Sequence, residues 1–251
     1  MEQQNFQYQK NSVFVEEGSV SKKFFASVFT WMFVALGLST LAAYLFGTNL
    51  ELMQYLRVVN PETGKVSTTI FGYIAMFAPL GLVMTISFGL SRLSYVALVA
   101  LFVLYAALTG VSLSFILWAY TSSSVVSCFA GATGIFGIMA VMGYTTNVDL
   151  SKFGTILMVG VIGLVVATLI NYFIQSEGFN LLLAYAGVAI FTALTAYDVQ
   201  KIKRIGEGIE ASGDQVLSVD AKKTSIVAAL SLYLDFLNIF IFLLRIFGNR
   251  K

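Results

Sequence analysis

Histidine is absent from the 251 residues, and cysteine occurs once, at Cys128. The first absence removes Ser-His and Cys-His catalytic pairs, histidine-bearing zinc sites and the imidazole switch near neutral pH. The single thiol excludes an internal disulfide, and its place in an apolar run says nothing of redox compartment. Charged residues make up only 11% of the chain, where a soluble domain carries roughly a quarter. A net charge of +2, with the cations in loops, gives no footprint for nucleic acid. The first 21 residues are polar and hold no short apolar core followed by a cleavage site, so no cleavable signal peptide is expected.

What the chain has in place of charge is apolar length: 58% of residues are hydrophobic and mean hydropathy is +0.84. Seven runs stand out, at about 24–46, 69–90, 95–119, 125–142, 153–175, 181–199 and 225–247. The first, at 1.5 Å per residue, reaches roughly 34 Å and is long enough to cross a bilayer. The pattern predicts an all-α membrane protein with seven transmembrane helices in one domain, 24–248. A polar cytoplasmic tail, 1–23, precedes it and a stub, 249–251, follows. Short connections at Ser91–Ser94 and Tyr120–Ser124 predict antiparallel neighbours. The longer 47–68 segment reads as an interfacial helix, Leu50–Arg57, then a turn at Asn60–Gly64. Pro79 predicts a packing kink. Gly131, Gly134 and Gly137 lack the strand and lysine of a phosphate loop and read as a helix-packing face.

Orientation follows from the cations. With the N-terminus inside, ten of the 15 lie on the cytoplasmic side: Lys10, Lys22, Lys23, Arg92, Lys152, Lys201, Lys203, Arg204, Lys222 and Lys223. Seven spans then place the C-terminus outside.

Two acids break the apolar pattern. Asp235 lies about ten residues into the last run, and Asp198 lies near the end of the sixth. A carboxylate at such depth faces protein or water, not lipid. The orientation puts both in the cytoplasmic half, with Arg92 at the end of the second run. Two carboxylates in low dielectric do not both ionise cheaply, so the pair titrates as a unit. A shared proton would latch the sixth and seventh helices together, and two charges would repel unless Arg92 or a cation compensates. Asn238, Tyr197 and Ser231 are supporting polar residues by sequence proximity.

At these residues the chain resembles the Bax inhibitor-1 family, the transmembrane Bax inhibitor motif proteins, in its bacterial form. The resemblance rests on Ala196-Tyr-Asp-Val-Gln-Lys-Ile-Lys203 and on Ser231-Leu-Tyr-Leu-Asp-Phe-Leu-Asn238 with its continuation to Gly248. Tyr144–Ser151 and Thr109–Leu113 support it. It implies a central last helix wrapped by the other six, and a calcium leak of the bacterial inner membrane that responds to pH through an aspartate dyad. By motif the dyad falls on Asp198 and Asp235, which would also line the Ca²⁺ path. A dyad-bonding arginine falls on Arg92. The implied partners are the bilayer, Ca²⁺ as transported ion and protons, with no cofactor.

Two other readings remain. An intramembrane aspartyl protease also pairs a Tyr-Asp with a second Asp, and Tyr197-Asp198 fits. However, Leu-Tyr-Leu-Asp235 replaces that family's Gly-x-Gly-Asp, and no Pro-Ala-Leu follows, so no enzyme is expected. A non-conducting regulator that binds a membrane protease or another membrane protein stays open. A retinal pigment is disfavoured because no span holds a lysine.

Overall fold

The computed structural model describes residues 19–59, 64–212 and 217–251. The expected Asn60–Gly64 turn and the tail up to residue 18 therefore fall largely outside the described residues. Eight helices follow in order: α1 Ser19–Thr48, α2 Leu50–Leu56, α3 Ile70–Gly89, α4 Tyr95–Ala119, α5 Ser122–Thr145, α6 Gly154–Ile174, α7 Glu177–Ala211 and α8 Val219–Phe247. A short antiparallel hairpin, β1 Arg57–Val59 with β2 Val66–Thr68, joins α2 to α3. All helices but α2 are long and apolar enough to span a membrane. In lipid, backbone groups find no water, and an all-helical bundle satisfies them within each segment.

Local chemistry fixes the starts. Thr69, Ser94, Ser176 and Ser218 each accept a first-turn N–H with their side-chain oxygens, opening α3, α4, α7 and α8. Pro79 stays inside an unbroken α3. Helix ends depart from the apolar runs where the chain leaves the membrane. α1 begins at Ser19, inside the stretch read as tail. α7 continues through the basic Lys201–Arg204 to Ala211, which shortens the loop expected from Gly206. Hydropathy reports where lipid ends, not where a helix ends.

α8 is the axis of the bundle. Within its most apolar window 72% of residues are buried, against 33% in α4 and α7 and 6% in the α6 span. Its main neighbours are α1, α4, α5 and α7, while α3 leans on α4 and α6 on α7. The wrap around the last helix is thus a ring of four with two outer helices.

Two glycines outside the expected row let spanning helices meet backbone to backbone. A Cβ on Gly110 of α4 would strike the Ser39 backbone of α1, and one on Gly143 of α5 would strike the Ala196 backbone of α7. Gly134 and Gly137 have open space where a Cβ would stand, and Gly131 has only Leu243 within ordinary contact. Within the chain this row sets no close helix contact, and Gly134 and Gly137 face outward.

Candidate functional site

The seam between α7 and α8 has a legible register. Phe191 of α7 stacks on Phe242 of α8 with ring centroids 6.0 Å apart, and Gly187 lets the Phe242 ring lie against the α7 backbone. Asp198 is seven residues beyond Phe191, and Asp235 is seven before Phe242. Seven residues return to the same helix face, about 10 Å along the axis. Antiparallel helices in this register bring the two acids to one level. Asp235 is buried, at 4% exposure, and Asp198 is half-buried. Lys201 lies three residues beyond Asp198, on the same side of α7. Asp235 Oδ2 is enclosed and has no hydrogen-bond partner among the described residues.

Two residues earlier, α8 presents the opposite face to α1 and α4. The fully buried Tyr233 hydroxyl lies 2.6 Å from Ser39 Oγ, which in turn donates to the Ala106 carbonyl at 2.7 Å. Tyr233 is therefore the donor to Ser39. The Tyr105 ring meets the Tyr233 ring edge-on at 5.7 Å. This hydroxyl chain is satisfied, whereas Asp235 Oδ2 in the same helix is not; Thr109 Oγ1 of α4 is also buried with no hydrogen-bond partner among the described residues.

Among the described residues, none of the other residues singled out by sequence hydrogen-bonds either acid. Asn238 donates to the Leu234 carbonyl of its own helix at 2.9 Å. Tyr197 turns its ring toward Gly154 at the start of α6. Ser231 lies one helical turn before Asp235 and half-buried. Arg92 is exposed in the α3–α4 turn, where its backbone N–H bonds the Gly89 carbonyl. Among the described residues no ion pair joins it to either acid.

A clamp beside the pair escaped the sequence reading. Gln200 of α7 donates to the Val148 carbonyl and accepts from the Leu150 N–H, both at 2.8 Å. Arg204 pairs with Asp149 at 2.7 Å and bonds the Ser151 hydroxyl. Lys203 donates to the Tyr144 carbonyl at 3.0 Å. The α5–α6 loop is thereby tied to the end of α7 that bears Asp198. Arg204, together with the Ser151 N–H, pulls the Asp149 carboxyl down to about 2. The signal was available: a loop with few internal hydrogen bonds needs side-chain partners, and the polar end of α7 supplies them.

As a cation site the pair is sparse. Ca²⁺ takes six to eight oxygens, and among the described residues no group of three or more acids gathers. Two carboxylates alone fall short of that number.

Comparison with known proteins agrees with the fold. Residues 21–251 match the family described as inhibitor of apoptosis-promoting Bax1. The inner membrane protein YbhL of Escherichia coli is 40% identical over 91% of this chain and 92% of its own length. An uncharacterized protein of Borreliella burgdorferi is 39% identical over 94% of this chain and 96% of its own. One from Deinococcus radiodurans is 40% identical over 92% and 91%. With its seven spanning helices, its buried last helix and this match along nearly its whole length, the chain belongs to the Bax inhibitor-1 family.

Proposed function

We propose that the protein is a pH-sensitive cation leak, with Ca²⁺ as the transported ion, in a bacterial inner membrane. The location follows the name of the Escherichia coli relative. The observation that carries the reading is the unpaired, enclosed carboxylate of Asp235 set against Asp198 across the α7–α8 seam. Protein interiors do not leave such an oxygen without a partner at no cost. A proton shared with Asp198, or a cation passing between the two, meets that need. Because the acids interact, they titrate as one unit, and protonation changes the force between α7 and α8. The α5–α6 clamp holds the α7 end in place while that force changes. Arg92, in a turn at the same end of the bundle, sets the range over which the pair titrates.

The test is Ca²⁺ flux into liposomes carrying the purified protein, from pH 5 to 8. Flux should vary with pH in the unaltered chain, and Asp198→Asn and Asp235→Asn should each flatten the profile. Arg92→Gln should move the midpoint without flattening it. No flux above empty liposomes at any pH, with folded and inserted protein, overturns the leak.

A second reading has one observation in its favour. An apolar fissure of about 990 Å³ runs between α1 and α5, with Phe236 of the central helix at its floor and Gly137 on its wall. Such a fissure suits a transmembrane helix of another membrane protein, as the regulator reading requires. Flux that is unchanged when both acids are replaced, together with loss of a membrane-protein complex, would favour it.

A further inference from the structure

At the end of the bundle that carries the C-terminus, a polar recess of about 370 Å³ opens beside the α6–α7 turn. Arg245 and Arg250 both line it, with Tyr120, Asn171, Asn180 and Glu177. Arg245 lies in the last turn of α8, where a cation complements the negative end of the helix dipole. Arg250 belongs to no helix, and capping does not account for it. It is brought there by the C-terminal stub, which is pinned to the α4–α5 turn. Thr121 N–H donates to the Asn249 carbonyl at 2.9 Å, and Lys251 N–H to that of Ala119 at 3.0 Å. Tyr120 and Arg250 form a β-bridge.

The two guanidiniums rest on rings in place of carboxylates. Arg245 stands 5.2 Å from the Phe242 ring centre and Arg250 stands 6.0 Å from that of Tyr120. Among the described residues no ion pair joins either to an acid. The first turn of α7 faces the same recess through Glu177 and Asn180, and a helix start adds partial positive charge. The Glu177 carboxylate offsets one of these charges and leaves an excess of positive charge at a membrane boundary.

We propose that this recess binds a phosphate group, either in an anionic lipid headgroup or as free phosphate. Two planar forks match phosphate oxygens in a way that lysines do not. The site is independent of the acid pair: Glu177 and Asp198 are 21 residues apart in one helix, roughly 30 Å.

The test is a set of titrations on the full chain in a neutral detergent, with three probes: inorganic phosphate, phosphatidylglycerol and phosphatidylcholine. Saturable binding of phosphatidylglycerol or of phosphate is expected. Arg245→Gln and Arg250→Gln should each weaken it about ten- to a hundredfold, since a charge-assisted hydrogen bond is worth about 1.5–3 kcal/mol. Arg250→Lys should fall between. Lys152→Gln, at the other end of the bundle, should leave it unchanged. Binding confined to the lipid assigns the headgroup as source, and binding of phosphate alone assigns a soluble anion. Because Arg250 lies outside the helices, its variants keep the test valid if Arg245→Gln does not fold. The proposal is overturned if neither anionic probe saturates. It is equally overturned if binding survives in folded Arg250→Gln, or falls as much with Lys152→Gln.

Discussion

Tyr233 and Asp235 stand two residues apart on one central helix, and both are buried, yet they have opposite relations to their surroundings. The Tyr233 hydroxyl donates to Ser39, which passes its own hydrogen to the Ala106 carbonyl. The Asp235 carboxylate faces another acid and leaves one oxygen without a partner. A buried polar group with its bonds made fixes packing. One without them is retained at a cost, and such costs gather where a protein does its work. An enclosed carboxylate costs far more than an enclosed hydroxyl such as Thr109 Oγ1, so the proposed function lies on the α7 face of α8 and packing on its α1–α4 face.

The largest expected effect tests the functional face. Asp235→Asn should remove the pH response of Ca²⁺ flux altogether while the protein stays folded, because an amide keeps the shape and loses the titration. Its thermal unfolding in detergent should change by no more than about 1 kcal/mol, the net value of a typical hydrogen bond. A flux profile that keeps its midpoint would assign the titration to another group and end the contrast.

The structural face should behave in reverse. Gly110→Ala places a methyl against the Ser39 backbone, and such overpacking costs about 1–3 kcal/mol. Gly134→Ala, with open space around it in mid-helix, should not destabilise and should gain up to about 1 kcal/mol, the helix advantage of alanine over glycine. Ser39→Ala removes both the acceptor of the Tyr233 hydroxyl and the donor to the Ala106 carbonyl, a loss of about 1–3 kcal/mol. Tyr233→Phe removes the donor but leaves Ser39 bonded to Ala106, and about 1 kcal/mol is expected. In none of these variants should the midpoint of the flux profile move. Unfolding midpoints and flux from one preparation of each variant check both halves.

Much of this contrast was legible in the sequence. The seven spans followed from apolar length, and an aspartate deep in the last run marks a site by its cost alone. The pairing of Asp198 with Asp235 was expected from the direction of the spans and from the family motif; the Phe191–Phe242 contact that sets their register appears only in the structure. Other features depend on which way a helix is turned. The glycine row at 131, 134 and 137 looks the same in sequence whether it faces a neighbour or lipid, because lipid tolerates either. Gly110 and Gly143, isolated in their runs, carry no such mark and yet set the close contacts. Arg92 has charge and position to recommend it, but its side chain lies in an exposed turn. Gln200 and Arg204 sit in a stretch whose charge explains itself as cytoplasmic flank, which hid their hold on the α5–α6 loop.

That loop supplies the smallest effect, and with it a control on the whole comparison. Asp149 is an acid at the same end of the bundle as the pair, but it is exposed and held by Arg204 and the Ser151 N–H at about 2. Its folded value lies below that of an unfolded aspartate, about 3.9. Its contribution to stability is therefore complete above about pH 5 and fades as pH falls from about 4 toward 2. Between pH 5 and 8 it carries its charge throughout and gives no titration to a flux profile. Asp149→Asn should leave the flux midpoint where it is. It should lower the unfolding temperature slightly at pH 7, and that difference should disappear near pH 2. A shift of the flux midpoint in this variant would mean that the clamp, through Gln200 and the end of α7, moves Asp198 itself. The boundary between holding and gating would then have to be drawn on the loop side of α7 and not at its seam with α8.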